Sequence, residues 1–239
     1  MLYSGHTVPR CTLVLIISDL EIKGSESQVI GSNTFLKSRL RDTVLNIQPD
    51  YRYMSMGYYV SMQAEVTGCP VIPSCQNSLD AYRTPIFLLR ARKAGLAISP
   101  YVVSDNVKDI MFEVDFPMIL FPLHPTSNGG YKVVHSEGSL YRAVRSLGMN
   151  QKYPVCAENL FGRLISVKSL LGSVNDPSVM SVAARVYEEF KLPIFRLIVQ
   201  VVGQEPYLCS LAPVHLEELT LEDLRVLSER IGAVGKHFG

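Results

Sequence analysis

Apolar residues in the first third of the chain come in short runs set between polar turns. One stretch has a complete strand–loop–helix–strand pattern. Val44, Leu45 and Ile47 form a run suited to a buried strand. Ser55 stands where a helix N-cap belongs, Tyr58, Tyr59, Met62 and Val66 repeat at helical spacing, and Gly68 occupies the position of a helix C-terminal glycine. Val71 and Ile72, flanked by prolines, supply the next strand. A strand, a crossover helix and a strand make a parallel unit, whose ligand sites lie at the carboxyl ends of the strands. The Tyr51-Arg52-Tyr53 loop falls at that end.

The same patterning predicts the remaining elements. Thr12 to Ile17 reads as the first strand, Glu21 to Ser32 as a polar loop, and Asn33 to Arg41 as a short helix. Thr84 and Pro85 open a helix with Ile86, Leu88 and Leu89 facing inward, closed by Gly95 after Arg90, Arg92 and Lys93. Tyr101 to Val103 is a strand, Asn106 to Val114 a helix and Phe116 to Leu123 a buried strand. A turn at Ser127-Asn128-Gly129-Gly130 leads to Tyr131–Val134, the simplest reading being a hairpin, and Ser136 to Leu147 forms a helix. Asp176 caps a helix begun by Pro177, with Val179, Val182, Ala183, Val186 and Phe190 as one apolar stripe. Pro193 to Val202 and Tyr207 to Val214 read as an antiparallel hairpin. Thr220 caps a last helix, with Leu224, Leu227 and Ile231 inward. The fold class is therefore α/β: a mainly parallel sheet flanked by helices, with an inserted α+β segment.

Composition narrows the function classes. Nearly half of the 239 residues are apolar, and the net charge is +1 with acids and bases mixed. A nucleic-acid surface would need a basic stripe. No apolar run is long enough to span a membrane, and the apolar start Leu13–Ile17 leads into acidic residues without a cleavage site, so it reads as a strand rather than a signal peptide. Five cysteines, Cys11, Cys69, Cys75, Cys156 and Cys209, are odd in number and widely spaced, which points to a reduced, cytoplasmic protein. Cys69 and Cys75 lack the spacing of a zinc knuckle, and the scattered histidines form no metal pair, so no metal site is predicted. Neither a nucleophile elbow nor a phosphate-binding glycine fingerprint is present, and no catalytic residue is assigned.

The stretch YRYMSMGYYVSMQAEVTGCPVIPS resembles the signature of the RimK-like ATP-grasp N-terminal domain, close to Y-x-Y-x-S-x-G-Y-Y-V-S, then A-E-x-x-G, then a V-I-P-S-like strand. Tyr51, Tyr53, Ser55, Gly57, Tyr58, Tyr59, Val60, Ser61, Ala64, Glu65, Gly68, Pro73 and Ser74 match in place. GSVNDPSVMSVAARVYEEFKLPIFRLIVQV and LAPVHLEELT resemble that domain's second half, so the resemblance covers about residues 10–82 and 172–234. The expected organisation is this domain over residues 10–82 and 172–239, with residues 83–171 inserted. The inserted segment itself resembles an ATP-grasp nucleotide-binding subdomain, in which a strand reading F-P-[VIL]-[VI]-[VL]-K-P carries a phosphate-holding lysine and a glycine-rich loop covers the phosphates. Here Phe121 stands at the lysine position, and no Asp/Glu/Asn magnesium cluster is recognisable downstream.

Arg52 and Ser55, at a helix start, could surround an anion with a guanidinium and free backbone N–H groups; the bland alternative is a solvated arginine beside a satisfied cap. Tyr51 and Tyr53 are either binding aromatics or core. The resulting expectation is a non-catalytic recognition module whose substrate-binding residues are Tyr51, Arg52, Tyr53 and Ser55, needing no cofactor. As the resemblance implies, it would partner an ATP-grasp catalytic subunit or domain and bind a small anionic metabolite or a peptide, with neither nucleic acid nor membrane involved. Two alternatives stand beside it: a divergent ATP-grasp carboxylate–amine or –thiol ligase using ATP and magnesium, and a structural or oligomerisation domain.

Overall fold

The computed structural model describes residues 14–22, 28–124 and 130–234. Three sheets follow one another along the chain. The first is parallel, in the order β2-β1-β3-β4, with β1 Val14–Ile17, β2 Val29–Ile30, β3 Thr43–Asn46 and β4 Val71–Ile72. Its helices are α1 (Ser32–Leu36) and α2 (Met56–Val66), and α3 (Cys75–Ala81) and α4 (Thr84–Lys93) follow it. The second sheet is antiparallel, in the order β5-β8-β6-β7: β5 Tyr101–Ser104, β6 Met118–Pro122, β7 Lys132–Val134 and β8 Val155–Asn159. Helices α5 (Val107–Glu113) and α6 (Glu137–Leu147) belong to it. The third sheet, β11-β10-β9, is antiparallel and built from β9 (Arg163–Leu170), β10 (Ile194–Val202) and β11 (Glu205–Ala212), with α7 (Met180–Phe190) and α8 (Leu221–Val234).

The nearly unbroken apolar runs of β1 and β3 suit a parallel sheet buried on both faces, successive residues packing on opposite sides. Leu15, Ile17 and Val44 pack on Phe35, Val60 and Ala64 of α1 and α2. Val14, Ile16, Leu45 and Ile47 face Leu170, Leu171 and Ile194 of the third-sheet region and Leu227 and Ile231 of α8. In the second sheet, Met118, Leu120, Val155 and Ala157 pack under α5 and α6. Ile119, Phe121 and Cys156 instead join the largest cluster, with Phe195, Leu197, Val199 and Leu208 of the third sheet and Phe87, Phe190 and their neighbours on α4 and α7.

Most sequence-predicted elements form, and the differences have physical reasons. Val29–Ile30 pairs with β1 inside the stretch read as loop, a two-residue strand too short to carry a periodic signal. The first helix ends at Leu36 rather than Arg41. On α4 the buried residues are Phe87, Leu88 and Ala91, while Ile86 and Leu89 point outward. On α2 the buried face is Gly57, Val60, Ser61 and Ala64, so Tyr59, Met62 and Val66 lie outside; small residues let the helix sit close to the sheet. The expected turn at 127–130, Gly130 apart, and the start of the first strand at 12–13 lie outside the described residues. Among the described residues no helix is long and apolar enough to cross a membrane.

Candidate functional site

The loop leaving β3 is fixed from below by Tyr51. Its ring is fully buried, its hydroxyl donates to the Asn46 carbonyl (2.9 Å) and accepts from the Gln48 N–H (2.9 Å), and burial raises its pKa well above the usual phenol value. Tyr51 is thus a core residue and presents no surface to a ligand. Ser55 is used locally as well: its Oγ caps α2 by accepting from the Tyr58 N–H (3.2 Å) and donates to the Asp50 carbonyl (3.0 Å). Gly57 closes the arrangement, because a Cβ there would stand 2.3 Å from the Asp50 carbonyl oxygen.

Arg52 and Tyr53 do reach a cavity. The Arg52 guanidinium clasps the Asp50 carboxylate, Nε to Oδ1 and Oδ2 at 3.0 Å and Nη2 to Oδ2 at 2.6 Å. Hydrogen bonding to Asp50 raises the arginine's pKa, against the opposing effect of burial. Tyr53 is half exposed and meets Tyr58 edge to face, ring centres 5.3 Å apart. Both line a cleft of about 380 Å³ between the carboxyl end of the parallel sheet, the start of α4 and the ends of β6 and β11.

Sequence reasoning missed the rest of the lining. Arg83 is exposed, stands at the N-terminus of α4 without capping it, and makes no ion pair with a described residue. Tyr82, Leu123 and His124 complete the aromatic and apolar wall, and buried Thr84 and Ser210 share a hydrogen bond of 2.8 Å on its floor. Burial raises the Tyr82 phenol's pKa, and its hydroxyl oxygen lacks a hydrogen-bond partner. These residues are drawn from three separate parts of the chain, so no local motif announces them. Phe121, at the position where the resemblance places a phosphate-holding lysine, is buried and packs on Tyr131 with ring centres 5.9 Å apart. Among the described residues no three His, Cys, Asp or Glu side chains gather as a metal site.

A family profile for the RimK-like ATPgrasp N-terminal domain matches residues 32–230. The chain belongs to that family. As a RimK-like ATP-grasp N-terminal domain it also shares its fold with solved ATP-grasp ligases. The RimK domain protein ATP-grasp of Sphaerobacter thermophilus superposes with a TM-score of 0.63 at 14% identity, over 92% of this chain and 99% of that one. D-alanine–D-alanine ligase of Bacillus anthracis gives 0.62 at 13% identity, over 95% and 98%. The ATP-grasp ligase PsnB, complexed with a minimal precursor, Mg and ADP, gives 0.61 at 13% identity, over 94% and 99%. In sequence, 88 residues are 31% identical to formate-dependent phosphoribosylglycinamide formyltransferase of Hahella chejuensis. That match is 35% of this chain and 22% of the transferase, so the chain spans about a fifth of the curated relative it matches.

Proposed function

We propose that this RimK-like domain is a non-catalytic recognition module of an ATP-grasp carboxylate–amine ligase system. It works beside an ATP-grasp catalytic subunit or domain and holds an anionic group of a small metabolite or a peptide in the Arg52–Arg83 cleft. In this reading residues 10–82 and 172–239 form the recognition domain, and residues 83–171 are the inserted piece, which contributes one wall of the cleft. The observation that carries the proposal is the cleft's charge. Two guanidinium groups and His124 line it, its walls are aromatic and apolar, and Asp50, the carboxylate of the described residues that pairs with Arg52, is already engaged. An anion at Arg83 gains a charge-assisted hydrogen bond together with the unfilled N–H groups at the start of α4. PsnB, complexed with its precursor, supports a peptide as one ligand class.

The divergent-ligase alternative draws on the likeness to ligases over more than nine-tenths of the chain. Phe121 weighs against it, because a buried phenyl ring cannot neutralise a triphosphate. Calorimetric titration separates the two. Carboxylate-terminated peptides and inorganic phosphate are expected to bind the parent, and Arg83→Ala to weaken that binding about tenfold to a hundredfold, the loss of one charge-assisted bond of roughly 1.5–3 kcal/mol. Micromolar, magnesium-dependent ATP binding would overturn the recognition-module reading in favour of the ligase.

A further inference from the structure

Glu158 is the penultimate residue of β8, in register between Tyr101 on β5 and Ile119 on β6. It is 0% exposed, and neither carboxyl oxygen has a hydrogen-bond partner. It lies where the second sheet meets the third. Cys209 of β11 and Ser99 stand nearby without closing a hydrogen bond to the carboxyl: the Cys209 thiol donates to the Tyr207 carbonyl (3.8 Å), and the Ser99 hydroxyl accepts from Gln200 Nε2 (3.1 Å) and lies 3.9 Å from the Cys209 sulfur. The Gln200 amide is itself spent: Nε2 also donates to the Asn159 carbonyl (2.9 Å), and Oε1 accepts from the Phe161 and Gly162 N–H groups. The other titratable neighbours are Cys156 on β8 itself and Tyr101, whose phenol donates to the Pro85 carbonyl. No Lys, Arg or His of the described residues acts on the carboxyl.

A buried carboxylate is tolerated only when paired or hydrogen-bonded. Neither carboxyl oxygen is paired or hydrogen-bonded in the closed interface, and burial outweighs the help that Cys209 and Ser99 give the charged form, so the closed interface favours the protonated acid. We propose that Glu158 is a protonation latch between the second and third sheets: the interface stays shut while the carboxyl keeps its proton and opens when the proton is lost. The four strands of the second sheet lie in one continuous stretch of chain, so only two backbone crossings tie it to the rest, one before β5 and one after β8. Opening therefore hinges at two points and leaves the parallel sheet's own core intact.

Burial holds the Glu158 carboxyl well above its ordinary value, and the Cys156 and Cys209 thiols are pushed up by the same cause. The closed state is thus favoured in full below the ordinary carboxyl pKa of about 4.3 and loses ground as pH rises toward the raised value. Within that window the open population grows about tenfold per pH unit, because only the open form releases the proton.

The buried thiols report the opening. Native full-length protein is labelled with 4,4′-dithiodipyridine between about pH 5.5 and 7.5, each site is read by peptide mass mapping, and rates are divided by those of the same thiols in denaturant. Cys69, buried under the parallel sheet, is the internal reference for global unfolding. Labelling of Cys156 and Cys209 relative to Cys69 is expected to rise about tenfold per pH unit, and to lose this rise in Glu158→Gln. A ratio that stays flat in the parent overturns the proposal, as does a rise that persists in the variant. Should the amide prevent folding, Glu158→Met serves the same purpose. The parent profile decides alone if neither variant folds.

Discussion

Arg52 grips Asp50 through three side-chain hydrogen bonds of 2.6 to 3.0 Å and lines the cleft with the same guanidinium. Its removal leaves a partly buried carboxylate without its partner, so Arg52→Ala is expected to lower stability by about 1–3 kcal/mol as well as weaken anion binding. Arg83, which has no such duty, separates the two effects: its alanine variant is expected to melt within about 0.5 kcal/mol of the parent while losing the anion. Paired thermal melts and peptide titrations check this, and an Arg83→Ala protein that unfolds far below the parent would make Arg83 structural. The local half of this site was legible in sequence, because capping by Ser55 and the turn at Asp50–Tyr53 are set by near neighbours. Arg83, Phe121 and Ser210 were not, since only the packed chain brings them together. Nor was Glu158, an acid on a strand buried from both sides, where periodicity gives no warning.

Among the elements, α2 shows what periodicity can and cannot settle. Its span and both ends follow from Ser55 and Gly68, yet the face it buries is the one with glycine, serine and alanine, and the aromatic and methionine stripe faces out. A count of apolar residues chooses the wrong face whenever close approach matters more than area. Gly57 sets that approach, and Gly57→Ala is expected to destabilise the domain by about 1–3 kcal/mol, the usual range for overpacking. Denaturant unfolding measures it; an unchanged midpoint would mean that α2 and the Asp50 loop are free to move apart. By contrast the apolar stripe of α7 and the β10–β11 hairpin were legible, the helix alone starting later than expected, at Met180, because Asp176 and Pro177 open a 3-10 turn before it. Strands β8 and β9 were missed: β8 buries the charged Glu158 within its short run, and β9 is only partly buried along most of its length.

Taken as one molecule, the chain carries acids of opposite tendency. Hydrogen bonds from Lys168 and Thr220 outweigh burial and hold Asp223 below the usual carboxylate range, and the His215 N–H and Arg196 do the same for Glu218. Both contribute stability above the ordinary carboxyl pKa and lose it as pH falls. Glu158, with its raised value, works in the other sense and costs stability as pH rises. The melting temperature is therefore expected to peak near about pH 5, between the two groups' windows, and Glu158→Gln to move the peak toward neutrality. A melting profile that peaks at neutral pH in the parent would contradict this account. Four cysteines of the described residues are free, so a reducing agent should leave the melting temperature unchanged; a drop of several degrees would reveal a cross-link.

The inner face of the parallel sheet is closed by Leu170, Ile194, Leu227 and Ile231, all from the far end of the chain. During synthesis, at about 5–20 residues per second, Leu45 and Ile47 are made roughly 7 to 30 seconds before Ile194 exists to cover them. For that interval the nascent chain shows the ribosome's surroundings a sheet with one finished side and one bare one. The domain therefore cannot mature in the order in which it is read out, and a holdase chaperone would have its binding site ready-made on that bare side.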